Sequence, residues 1–174
     1  MLEEKNDNLL EADGSVKDES QEVTIAENQE ILVENQEEVK NEARCLASFI
    51  KGKNLLMYSA SNYEAVAIRA RQQFNENSKI VCSHHTIPEM NHNEIVGWRR
   101  EDSNLAVIVL RTDYEFEKNS KRLSFCKNVI SRYTSNYSEL FAKGKNRFEQ
   151  LFYLIHLTDW ISYELALINE VDPI

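Results

Sequence analysis

The stretch LAVIVLR, residues 105–111, is a continuous apolar run of mainly β-branched and leucine side chains that ends at an arginine. A run of this kind is typical of a strand buried on both faces, as the strands of parallel sheets are. Three further short apolar runs are candidate strands: NLLMYSA at 54–60, KIVCSHH at 79–85 and YSELFA at 137–142. The sequence therefore predicts a buried sheet, with residues 105–111 as its clearest strand.

Helical patterns separate these runs. Apolar side chains recur every three to four residues in four segments: 36–51, 62–76, 115–132 and 146–170. Helices that alternate with strands at this spacing predict an α/β fold, in which helices cover both sides of a parallel sheet.

Two finer expectations follow from this pattern. The second helical segment is expected to turn Ala65, Ile68 and either Ala70 or Phe74 toward the core. Ligands of parallel sheets bind beyond the carboxyl ends of the strands. Ser59 and Ser61 come at the end of the first strand, and we therefore expect them to be substrate-binding residues.

Charge is distributed unevenly along the chain. The first 40 residues carry thirteen acidic side chains against three lysines, a net charge of -10, and the remaining 134 residues carry sixteen acids and seventeen bases. Residues 1–34 are polar and contain no aromatic side chain, so they bury too little apolar surface to offset the entropy of ordering. We expect an acidic, largely disordered tail at 1–34 and a folded domain at 35–174.

Composition also excludes several classes of function. The domain has no dense cluster of Lys and Arg to meet phosphates, so we expect no nucleic-acid partner. No apolar run approaches the length of a membrane span, and the N-terminus has no apolar signal region, which predicts a cytoplasmic protein without a membrane partner. The three cysteines are widely spaced and form neither a metal motif nor a disulfide framework. We expect no metal and no cofactor.

The stretch PEMNHNEIVGW, residues 88–98, has an ordinary structural interpretation. Asn91 followed three residues later by Glu94 is the pattern of a helix capping box. Ile95 and Trp98 would then pack inward from one face of a short helix. On this interpretation His92 is a surface residue of the first turn; the alternative is that it has a chemical role.

The same stretch resembles the hallmark of the bifunctional phosphoglucose/phosphomannose isomerases, in their C-terminal sugar isomerase (SIS) half. Two longer segments carry the resemblance: RARQQFNENSKIVCSHHTIPEMNHNEIVGW at 69–98 and FYLIHLTDWISYELALINEVDP at 152–173. It extends from about residue 35 to residue 174. It implies a SIS-type three-layer α-β-α sandwich with a parallel sheet of about four to five strands.

The resemblance also implies a reaction and a catalytic pair. Members of the family interconvert aldose and ketose 6-phosphates through an enediol, with a carboxylate as the base and a histidine that opens the sugar ring. The family's base precedes its histidine by sixteen residues, as Glu76 precedes His92. The resemblance therefore makes Glu76 the general base and His92 the ring-opening residue, supplied in trans by a neighbouring subunit. Asn91 is a further candidate substrate contact.

Parts of the family pattern have no counterpart in the sequence. These are a first SIS half with a Ser/Thr-rich phosphate loop and an Arg, and a Lys and a Thr near the family's C-terminus. We therefore expect a partial or degenerate isomerase domain, and three possibilities stay open. The chain is half of a split isomerase, a degenerate SIS module that dimerises and binds a sugar phosphate or a protein partner without turnover, or a small isomerase with an unrecognised phosphate site.

The last helical segment is apolar on nearly all sides, which is typical of a helix covered by several neighbours. We expect this segment and the 36–51 helix to form the contact of a homodimer, or of a complex with a partner chain that supplies the other SIS half.

Overall fold

The computed structural model describes residues 36–174; the predicted tail at 1–34 lies outside the described residues, and its boundary stays a prediction. The helices and strands are, in chain order, α1 at 36–50, β1 Asn54–Ala60, α2 Glu64–Glu76, β2 Cys82–Ile87, β3 Leu105–Arg111, α3 Glu117–Ile130, β4 Tyr137–Phe141 and α4 Arg147–Ile168. Three single-turn 3₁₀ helices accompany them: Ser61–Tyr63, Glu89–Asn91 and Glu94–Gly97.

The four strands form one parallel sheet in the order β2-β1-β3-β4. Strand β3 has the predicted bounds and lies inside the sheet, paired with β1 on one side and β4 on the other. Its side chains alternate between two cores. Ala106, Ile108 and Leu110 face one core, and Val107 and Val109 face the other. The parallel sheet and the strand count are confirmed.

Helices cover both faces of this sheet. Residues of α1, α2 and α4 share one core with the strands, and α3 shares the other core with the two short turns that follow β2. The molecule is thus the predicted α-β-α sandwich, and the faces differ because three long helices lie on one side and a single long helix lies on the other.

Strand β2 begins later than predicted, at Cys82 rather than Lys79. The three residues before it belong to the turn from α2. Lys79 has a φ of 54°, and the Ile80 carbonyl accepts a hydrogen bond from Asn75 Nδ2 at 2.6 Å. An apolar run cannot distinguish a strand from the turn that leads into it, because Ile80 is partly buried in either case.

The inward face of α2 is also rotated from the predicted one. Val66, Ala67, Ala70 and Phe74 are buried, whereas Ala65 is exposed. The prediction of Ala65 was wrong, because the buried positions of this segment recur at 63, 66, 67, 70 and 74, which leaves residue 65 on the outer face.

Within the described residues, α4 is the helix with the length and composition of a membrane span, having 22 residues and a mean hydropathy of 1.2 in its most apolar window. In this fold it is a core helix. Leu154, Leu157, Ile161 and Leu165 are fully buried against the sheet and its neighbouring helices.

Candidate functional site

The carboxyl ends of the four strands meet at one edge of the sheet, which we call the carboxyl edge. Ser59 is fully buried there, and its hydroxyl makes no hydrogen bond with another described residue. Ser61 begins the 3₁₀ turn after β1 and is exposed. The two predicted contacts thus differ in access: Ser61 can be reached from solvent directly, whereas Ser59 lies beneath the surface.

The His92 turn, residues 88–98, follows β2 at this edge as two short 3₁₀ helices rather than one helix. The predicted capping box is wrong. The cap of the second turn is Asn93, whose Oδ1 accepts a hydrogen bond from the Glu94 amide at 2.6 Å. Asn91 instead lies within the first turn, where its Nδ2 donates to Cys126 Sγ of α3 at 2.9 Å. The amide of Asn91 is therefore turned inward, and a role in substrate binding stays a prediction.

Glu94 is held by the sheet rather than by the helix end. The Tyr58 hydroxyl donates a hydrogen bond to Glu94 Oε1, and His85 Nδ1 lies 3.6 Å from Glu94 Oε2. Burial, followed by the hydrogen bond and charge of Glu94, raises the pKa of Tyr58 far above its ordinary value. The phenol therefore stays a donor over the whole working range of pH. Sequence patterns gave no signal for this cluster, since its members come from β1, β2 and the turn.

His92 is exposed in the middle of this turn. Its backbone amide donates to the Glu89 carbonyl at 2.9 Å, and its imidazole makes no hydrogen bond within residues 36–174. The side chain is therefore free to meet a group from outside the described part of the chain.

Glu76 is the last residue of α2 and is also exposed. Helix α2 starts at the carboxyl edge after β1 and runs back along the sheet for 13 residues, a length of roughly 20 Å. Glu76 therefore lies at the opposite edge of the sheet, where the strands begin, which we call the amino edge. Within one chain, Glu76 and His92 are separated by about the length of a strand. Direct proton transfer needs groups within about 3 Å of one substrate atom, so these two residues of one chain cannot serve the same atom.

The end of α2 is anchored to α4. Asn77 Nδ2 donates to Ser162 Oγ at 2.9 Å, and the buried Ser78 hydroxyl donates to the Ser162 carbonyl at 2.6 Å. The Glu76 carbonyl accepts a bond from Lys79 Nζ at 2.6 Å. The backbone of Glu76 is thus fixed, and only its side chain is free.

His84 and His85 diverge, as their adjacent positions on a strand predict. His84 Nε2 lies 3.9 Å from Glu64 Oε1 of α2, whereas His85 faces Glu94. Burial and the nearby Arg71 lower the pKa of His84. Residues 36–174 contain no group of three or more His, Cys, Asp or Glu side chains arranged to hold a metal ion.

Comparison with known families gives one match over most of the chain. Residues 39–174 match the family described as the bacterial phospho-glucose isomerase C-terminal SIS domain.

Proteins described as bifunctional phosphoglucose/phosphomannose isomerases are similar in sequence. The one from Aquifex aeolicus is 32% identical over 152 residues, which cover 86% of this chain and 48% of that protein. The one from Thermoplasma acidophilum is 30% identical over 118 residues, 68% of this chain and 37% of that protein. The chain thus spans about half the length of such relatives, or less.

Solved structures agree on the fold. A glucose-6-phosphate isomerase like protein from Thermus thermophilus superposes with a TM-score of 0.61 at 23% identity, covering 75% of this chain and 42% of that one. The C-terminal domain of glucosamine-fructose-6-phosphate aminotransferase from Francisella tularensis gives a TM-score of 0.65 at 18% identity, covering 84% and 44%.

Proposed function

Because this chain belongs to the family of bacterial phosphoglucose isomerase C-terminal SIS domains, we propose that it takes part in the isomerisation of hexose 6-phosphates. The reaction interconverts glucose 6-phosphate or mannose 6-phosphate with fructose 6-phosphate through an enediol. The observation that carries the proposal is the placement of Glu76 and His92, each exposed with a fixed backbone, at opposite edges of the sheet.

The proposed chemistry gives each residue one proton-transfer task. His92 opens the ring by moving a proton between the ring oxygen and the oxygen on C1, which leaves an open-chain aldehyde. The Glu76 carboxylate then removes the proton from C2, and the electron pair moves to form the enediolate, whose charge lies on O1. Return of that proton to C1, with transfer of the O2 hydroxyl proton to O1, gives the ketose, so the carboxylate ends as it began. A histidine is suited to ring opening because it can both give and accept a proton near neutral pH.

Opposite placement supports a site shared between chains. Glu76 of one chain and His92 of another can face one sugar, although the two residues of a single chain cannot. We therefore propose that the working unit contains two copies, or this chain and a partner that supplies the other SIS half. A partner half would also bind the phosphate group, whose remote contacts position the reacting carbons.

The outer face of α4 supports such an assembly. Phe148, Phe152, Tyr163 and Leu167 are exposed by 40 to 73% and lie within about 100° of the helix circumference, with the polar side chains of His156 and Asp159 between the two pairs. We call this set the α4 stripe. Solvent-exposed apolar surface of this kind is typical of interaction sites.

Helix α1 borders the same surface. Lys40 Nζ lies 5.1 Å from the centre of the Trp160 ring, and Trp160 lines a shallow cavity of about 250 Å³ with His156, Asp159 and Tyr163. This agrees with a contact made by α4 and α1 together.

A second candidate function is a non-catalytic SIS module that dimerises and binds a sugar phosphate or a protein. It is supported by the exposed apolar residues of α4, which offer an association surface whether or not the chain turns over a substrate. In either case we propose a cytoplasmic protein.

The test is isomerisation of fructose 6-phosphate by purified wild type, Glu76→Gln and His92→Gln. We expect each substitution to lower the rate by about 10²-fold or more, because it removes a proton-transfer group. Glu101→Gln is the matched control, since Glu101 is also an exposed glutamate near the amino edge. Wild-type activity should persist in this variant.

Mixing the two inactive variants tests the shared site. Random pairing makes half of the dimers mixed, and each mixed dimer has one intact site, so about a quarter of wild-type activity should return. Activity in wild type without recovery on mixing would contradict a site shared between copies. No turnover by wild type in any mixture would favour the non-catalytic module.

A further inference from the structure

The His92 turn is attached to the sheet by a buried phenol. Tyr58 lies within β1, and its side chain is only 1% exposed. Its hydroxyl donates to Glu94 Oε1, two residues beyond His92. Because the ring is packed in the core between the sheet and α3, the position of this donor is fixed by the fold.

A neighbouring strand faces the same carboxylate. His85 of β2 is the register partner of Tyr58, and its Nδ1 lies 3.6 Å from Glu94 Oε2. Two adjacent residues of the sheet therefore face the two oxygens of one side chain. His85 Nδ1 makes no hydrogen bond within the described residues, so the bond from Tyr58 to Glu94 is the contact that we call the Glu94 clamp.

The other side of His92 is attached to α3. Met90 is fully buried, and Asn91 Nδ2 donates to Cys126 Sγ at 2.9 Å. His92 thus lies between two anchored neighbours while its own imidazole is exposed and has no partner among the described residues. This arrangement, in which the residues on both sides are anchored and the side chain between them is free, is expected of a residue that contacts a ligand or another chain.

Apolar packing alone would not fix the direction in which the His92 side chain projects. Trp98 is buried and Ile95 packs against the same core, so the turn already has hydrophobic attachment at its far end. Hydrophobic contact is non-directional, whereas a hydrogen bond to a fixed donor constrains both distance and angle. The hydrogen bond to the Glu94 carboxylate therefore fixes the orientation of the turn, in addition to attaching the turn to the core.

We infer that Glu94, held by the Tyr58 hydroxyl, is a positioning residue that fixes the turn so that the His92 imidazole projects from the carboxyl edge in one orientation. The consequence for catalysis rests on the proposed function, but the clamp itself does not. Misplacement of a catalytic group by about 1 Å is enough to lower a rate strongly, so loss of the clamp should affect turnover more than substrate binding.

The first test is hydrogen exchange, measured by mass spectrometry, on wild type and Tyr58→Phe. The variant removes one oxygen and keeps the ring. A hydrogen bond to a charged group corresponds to about a tenfold to hundredfold change in an opening equilibrium, so amides of residues 89–97 should exchange faster by that factor. Tyr137→Phe is the matched control, because Tyr137 lies against the same core and its hydroxyl has no partner among the described residues.

A second pair of variants separates the hydrogen bond from folding. Glu94→Gln keeps an acceptor for the Tyr58 hydroxyl and should retain most of the protection, whereas Glu94→Leu should lose it as Tyr58→Phe does. Unchanged exchange at 89–97 in both Tyr58→Phe and Glu94→Leu would overturn the clamp. Equal acceleration in Tyr137→Phe would overturn it as well, because the effect would then be general loosening of the core.

Kinetics test the positioning role in whichever assembly turns over fructose 6-phosphate. Tyr58→Phe should lower kcat about tenfold with KM nearly unchanged, and Tyr137→Phe should change neither. Faster exchange with an unchanged kcat would overturn the positioning role. Faster exchange in a protein without turnover would support the clamp and count only against the proposed function.

Discussion

Gly144, in the loop between β4 and α4, has a φ of 140°, which L side chains rarely adopt. An added Cβ would lie 2.6 Å from Glu149 Cβ and 3.0 Å from the Gln150 backbone nitrogen. We expect Gly144→Ala to lower the free energy of unfolding by about 2–4 kcal/mol, since backbone strain and a steric clash add.

Two other glycines calibrate that prediction. Gly52 has a φ of 72° but open space around an added Cβ, so Gly52→Ala should cost about 1 kcal/mol from backbone strain alone. Gly97 has neither a positive φ nor a close neighbour, and Gly97→Ala should cost about 0.5 kcal/mol or less. Urea unfolding of the three variants should reproduce this order; a Gly144 variant as stable as the Gly97 variant would contradict it.

Strand β4 and helix α3 are joined to β3 through Glu139. Its carboxylate accepts hydrogen bonds from Arg111 and, at 2.5 Å, from Lys127 Nζ. Burial opposes ionisation, but these two bonds outweigh it and lower the pKa of Glu139 below its ordinary value of 4.5. A carboxylate with a depressed pKa stabilises the fold above its unfolded pKa, and that contribution is lost as the pH falls through the folded pKa.

The free energy of unfolding should therefore fall as the pH is lowered from about 5 to about 3, and Glu139→Gln should make this dependence shallower. Glu117→Gln is the control, because Glu117 is a highly exposed residue of α3 that pairs with Lys121. Denaturant unfolding at a series of pH values measures both. Equal pH dependence in wild type and Glu139→Gln would show that the network does not contribute as described.

Assembly is a property of the whole molecule, and the α4 stripe is the surface to test. Phe152→Glu combined with Leu167→Glu places two charges on this stripe. If the stripe is buried between chains, unpaired charges there should weaken association by about 100-fold or more, and sedimentation velocity should show a shift to monomer.

Phe125→Glu is the matched control for the assembly test. Phe125 is also largely exposed but lies on α3, on the opposite face of the sheet. This variant should sediment like wild type. A wild-type protein that is monomeric at all concentrations, with no partner half present, would contradict the proposed homodimer.

Local pattern was sufficient for the architecture. The periodicity of apolar side chains predicts the buried run at 105–111, the alternation of helices and strands, and the parallel sheet. This periodicity is a property of residues that are close together in the sequence. For the same reason the bounds of β1 and β3 were predicted correctly. The resemblance of residues 69–98 and 152–173 was likewise a property of consecutive residues, and the family it indicated is confirmed.

Contacts between distant residues determined the remainder. The start of β2 depends on a turn anchored to Ser162, and Asn91 turns inward because Cys126 of α3 lies beneath it. Glu94 meets Tyr58 instead of a helix end. The sixteen-residue spacing cannot show that Glu76 and His92 lie at opposite edges of the sheet, because this distance between them arises only when α2 folds back along the sheet. The spacing identifies Glu76 and His92 as candidates, whereas the packing of α2 against β1 and α4 determines that the two cannot meet within one chain.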